Sequence, residues 1–110
     1  MARKKLFEGC AVATFDKLKE AADGNAQAFV WPDEGRFTRH GNWTFNDDHK
    51  DFEPLLVDRT SASMMVTLHD ALSAENQEKF RTWVGLGRGQ FAALWEFTIK
   101  HVKITGFKSA

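Results

Sequence analysis

The sequence predicts an α+β fold: an N-terminal helix, a three-stranded antiparallel meander, then about three C-terminal helices, in one domain over residues 1–110. Three observations carry this. Apolar residues recur at helical spacing up to about residue 22 and again beyond residue 60. Between them, from 27 to 46, short aromatic segments alternate with turn signals. The chain's 110 residues fit one domain, long enough to bury a core without disulfide or metal staples.

"CAVATFDKLKEAAD", 10–23, reads as the first helix, with Ala11, Val12, Phe15, Leu18 and Ala22 on one stripe. Asp16, Lys17 and Glu20 lie outside it, and "DGN" ends it at Gly24. "AQAFVW", "RFTRH" and "WTFN" read as the meander. Pro32 and Gly35 suit a turn between the first two strands, and Gly41-Asn42 a tight primed turn between the last two. Phe29 pairs in phase with Trp31, Phe37 with Arg39, and Trp43 with Phe45. If these faces coincide, the sheet presents five aromatics and one Arg stem.

In "DDHKDFEP", Asp47 is expected to cap a short helical turn that ends before Pro54. "LLV" fits a brief strand or a loop anchor. "SASMMVTLHDAL" is helical, capped by Thr60 or Ser61, with Met64, Met65, Leu68, Ala71 and Leu72 together. Another helix starts at Ser73, its stripe being Phe80, Trp83 and Val84. After "GLGRG", "QFAALWEFTIKHV" places Phe91, Leu94, Trp95, Ile99 and Val102 on one broad face and turns Phe97 elsewhere. Residues 97–107 also have strand composition.

Fifteen basic residues balance fifteen acidic ones, so charge gives no general reason for a nucleic-acid partner and removes one guard against self-association. Ten Phe and four Trp with no Tyr fit a folded core, with some Trp at an interface. Cys10 is the only cysteine, which excludes an internal disulfide and a Cys-based metal site. No long apolar run follows "MARKK", so neither a signal peptide nor a membrane span is expected, and a cytoplasmic protein is.

No residue set supplies a nucleophile with its base, so no catalytic residues are assigned and no enzyme is expected. None of the four His forms an HExxH pair, so no metal or cofactor is expected. Asp47, His49 and Asp51 have the chemistry of metal ligands, but a solvated turn explains them too. His69 avoids the core stripe and is expected to face solvent, and Cys10 to act as a small, partly buried hydrophobe. "GLGRG" lacks the phosphate-loop spacings; it reads as a helix breaker, or as an anion cradle aided by Arg88. As a helix-turn-helix reader the last helix offers Gln90, Glu96 and Lys100, a poor set for DNA.

The functional expectation is a small non-enzymatic binding or regulatory protein working through a protein–protein interface, with a protein partner or self-association. Its candidate binding residues are Trp31, Arg36, Arg39, His40, Trp43, Arg88, Trp95 and Phe97. One alternative is a nucleic-acid-binding module using the aromatic and basic strip 36–43. A second is a small metal-dependent enzyme at Asp47, His49 and Asp51.

Overall fold

The computed structural model describes residues 5–105. Its architecture is α+β, with an early helix and three C-terminal helices. Strand β1 (Cys10–Val12) leads into helix α1 (Phe15–Ala22), which returns to strand β2 (Gln27–Val30). After a 3-10 turn at Pro32–Glu34 come strands β3 (Gly35–Phe37) and β4 (Trp43–Phe45). A second 3-10 turn at Asp47–His49 precedes strand β5 (Leu55–Val57). Helices α2 (Arg59–Ala71), α3 (Ala74–Leu86) and α4 (Arg88–Thr105) complete the described residues.

The helix expected from Cys10 begins five residues later. Cys10–Val12 pairs in parallel with Ala28–Val30. Thr14 then caps α1, its hydroxyl accepting the Lys17 amide at 3.1 Å. A short apolar run such as "CAVA" satisfies a parallel strand as well as a helix stripe.

The strand pairing also differs from a simple meander. β2 joins a mixed sheet in the order β1-β2-β5, antiparallel to β5, while β3 and β4 form their own antiparallel pair. The cause is the turn after β2. It is a 3-10 turn in which the Glu34 amide donates to the Trp31 carbonyl at 3.0 Å, and it carries the chain out of the first sheet. The β3–β4 link is wider than the primed turn expected. The Thr38 amide donates to the Asn42 carbonyl at 2.7 Å, the Thr38 hydroxyl accepts the Asn42 amide, and Gly41 takes φ 85°.

The aromatic faces therefore divide between two cores. Phe29 and Trp31 turn toward the helices, packing with Leu18, Met65, Leu68, Phe80, Val84 and Phe91. Val30, one residue out of phase, packs with Trp43 and Phe45 of the hairpin, backed by Phe7 and Cys10. The mixed sheet is covered by helices on one face and by the hairpin at the Val30 end of the other.

Side chains define the helix boundaries. Asp58, rather than Thr60 or Ser61, caps α2: its carboxylate accepts the Ser61 amide at 2.8 Å, which holds its pKa below the usual carboxylate range. Ser73 caps α3 as expected. Gly87 alone separates α3 from α4, so the glycine-rich break is one residue long. Helix α4 continues through Thr105, and residues 106–107 of the ambiguous tail lie outside the described residues.

Gly35 sits opposite Phe45 in the hairpin register, and a Cβ there would overlap the Thr44 carbonyl oxygen and crowd the Phe45 Cα. Both are backbone atoms of a paired strand and cannot yield as a side chain would. Gly35→Ala is expected to lower stability by about 1–3 kcal/mol, read by urea denaturation; a loss under about 0.5 kcal/mol would mean that the hairpin separates at no cost.

Candidate functional site

Arg88, the first residue of α4, anchors the most connected polar cluster. Its Nε donates to Glu34 Oε2 at 2.7 Å and its Nη2 to Glu34 Oε1 at 3.0 Å, a bidentate ion pair. Nη2 also donates to the Glu53 carbonyl at 3.0 Å. The guanidinium lies 5.2 Å from the Trp31 ring and 4.9 Å from that of Phe52. Arg88 is therefore a structural clamp between the Pro32–Glu34 turn and α4, and the anion-cradle reading loses its cation to Glu34.

Trp31 and Trp43 are core residues, not surface ones. Trp31 donates its indole N–H to the Val84 carbonyl at 3.1 Å. Trp43 packs edge-on against Phe37 and Phe45. Burial of both indoles takes away the stacking platform that the nucleic-acid reading assigned to Trp43. Arg36, Arg39 and His40 are exposed along and beyond β3, beside a Phe37 that is partly exposed.

His69 is buried rather than solvent-facing, because α1 and α3 close over it. Its ring lies 4.3 Å from Phe15 and 5.6 Å from Phe80. A guanidinium can only donate, so Arg81 Nη1, at 3.0 Å, makes His69 Nε2 an acceptor. Nδ1 then carries the proton and donates to Asp70 Oδ1 at 2.9 Å. Both ring nitrogens are engaged, and neither is free for chemistry.

Asp47 lies on the 3-10 turn with His49, as expected, though Asn46 occupies the cap position. His49 Nδ1 meets Asn46 Oδ1 at 2.6 Å and its ring packs on Phe52. Among the described residues no group of three His, Cys, Asp or Glu side chains converges as metal ligands. Cys10 is half-buried, and desolvation pushes its thiol pKa up, away from the reactive thiolate.

The aromatic residues of the last two helices produce a different kind of site. Phe91 and Leu94 bury the inner side of α4; Trp95 lies partly buried on one flank and Phe97, 49% exposed, on the other. Phe97 borders a groove of about 350 Å³ with Leu72, Asn76, Lys79, Phe80, Trp83 and Leu94. Trp83 stands 43% exposed on its opposite wall. The stripe expected from the sequence joins Trp83 to Phe80 and Val84. Phe80 and Val84, four apart, share the inner face, while position 83 is turned by about 100° from 84. That angular offset was the signal for its exposure.

Among the described residues no helix is long and apolar enough to cross a membrane. No family model matches the chain, and no curated protein or solved structure matches it either.

Proposed function

We propose that this chain is a small, non-enzymatic binding or regulatory protein whose contact surface is the groove between α3 and α4. One observation carries the reading: two large aromatics, Trp83 and Phe97, stand about half exposed on facing walls of one apolar groove. Aromatics dominate the energetics of protein interfaces, and keeping two of them in water has no folding benefit. A groove between neighbouring helices suits an amphipathic helix from a protein partner, its apolar ridge against Phe80 and Leu94. Lys79 and Glu75, paired at 3.5 Å on α3, supply a polar rim of both signs. A cytoplasmic setting, expected from the sequence, belongs to the same reading.

Trp83→Ala and Phe97→Ala are each expected to weaken the complex by at least about 1 kcal/mol while changing the melting temperature little. A partner is first captured on the immobilised wild-type chain and identified by mass spectrometry. It is then titrated, purified, against both variants by calorimetry. Equal affinity for wild type and variants would remove this groove as the contact surface. Light scattering across a concentration series reads the homomeric version, in which the wild type dimerises and Phe97→Ala does not.

A further inference from the structure

The mixed sheet ends at β5, and β5 is an open edge. Its inner side pairs with β2. Among the described residues, no backbone group of Leu55, Leu56 or Val57 finds a hydrogen-bond partner on the outer side. Natural sheets guard such edges with bulges, inward charges or a covering element. Here the guards are the strand's brevity and Pro54 at its start. Leu56 is 76% exposed, the most exposed of the large hydrophobic residues described. The hairpin that covers this sheet face packs on Val30 and does not reach it.

A groove of about 210 Å³ runs along the same edge. All three β5 residues line it, with Ser61 and Met65 of α2 and Phe91, Ala92 and Trp95 of α4. A sheet edge beside an apolar slot walled by helices is the geometry of β-strand addition, in which backbone pairing gives affinity and alternate side chains fill the slot. Charge specifies the ligand further. Exposed Glu53 and Asp58 bracket β5, with Arg59 one residue beyond on α2. Asp58 and Arg59 offset one another, so it is the Glu53 end of the edge that favours a cationic residue.

We infer that the outer edge of β5 receives an extended segment of a partner protein, alternate apolar side chains seated against Met65, Phe91 and Trp95 and a basic residue at the end beside Glu53. This site shares no lining residue with the α3–α4 groove, so it stands or falls independently of the function proposed there.

The probe is the blocked peptide acetyl-Lys-Val-Thr-Val-Thr-Val-Lys-amide, titrated into the ¹⁵N-labelled full chain. The short edge sets the expected dissociation constant at about 10–1000 μM. Shifts are expected at the Leu55, Leu56 and Val57 amides and at the Trp95 indole. Ala92→Arg, which fills the slot from an exposed position of α4, should weaken binding by about tenfold or more with the fold intact. A peptide N-methylated at every residue should not bind, because neither of its edges can donate to β5. Absence of shifts at about 2 mM peptide overturns the inference. So do equal binding of the N-methylated peptide and shifts confined to Trp83 and Phe97. Shifts at Leu55–Val57 that grow with protein concentration in the absence of peptide would make a second copy the occupant, and overturn it as well.

Discussion

Arg88→Met is expected to lower the unfolding free energy by about 3–5 kcal/mol, because it leaves a buried carboxylate without its counter-charge. The Glu34 side chain is 3% exposed and that of Arg88 25%, so solvent screens this pair far less than a surface one. Glu34 retains the Trp31 amide at 3.4 Å, a long hydrogen bond that cannot replace a bidentate guanidinium. Arg88→Lys should recover only part of the loss, since an ammonium cannot serve both carboxylate oxygens and the Glu53 carbonyl in the same geometry. The double variant Glu34→Leu/Arg88→Met should be more stable than Arg88→Met alone, because it removes the stranded charge. Urea denaturation of the three variants checks this. A loss of under about 1 kcal/mol for Arg88→Met would show that water reaches Glu34.

Trp31→Ala should cost a similar amount, about 3–5 kcal/mol, by emptying the junction between sheet and helices. The indole is fully buried, edge-on to Phe29 and tilted against Phe91 with centroids 6.3 and 5.7 Å away. Its removal leaves a cavity and strips the Val84 carbonyl of its donor. Trp31→Phe separates the two effects: it keeps most of the ring packing and is expected to lose about 1–3 kcal/mol, chiefly for the unsatisfied carbonyl. Since a domain of this kind is stable by about 5–15 kcal/mol in total, Trp31→Ala should be largely unfolded at moderate urea concentrations. The Trp31 and Arg88 changes should not add, because the guanidinium stacks on that indole.

Much of the architecture was legible from periodicity. The class, the three C-terminal helices, the Ser73 cap and the inner residues Phe80, Val84, Phe91 and Leu94 follow from spacing alone. What spacing cannot supply is pairing. Strands of three or four residues carry too little pattern to choose a neighbour, so β2 reads equally well beside Arg36–Phe37 or between β1 and β5. For the same reason the Glu34–Arg88 pair is invisible in one dimension, its members being 54 positions apart. His69 was misplaced because a polar residue beside a stripe usually meets water; here α1 and α3 cover that flank, and Asp70 and Arg81 satisfy the ring. Of the candidate site residues, Trp31, Trp43 and Arg88 turned inward because each has a long-range partner or a second core that no local rule reveals.

The clamp around Trp31 and Glu34 also has a kinetic consequence. Its bonds to Val84 and Arg88 span 53 and 54 positions, whereas the α2–α3 and α3–α4 contacts join neighbours in the chain. Closing so long a loop costs more entropy than folding adjacent helices together, so the clamp is expected to form after the main barrier. Weakening it should then leave the refolding rate nearly constant and speed unfolding instead. The clamp would act as a late lock, setting how long each molecule stays folded rather than how quickly it gets there.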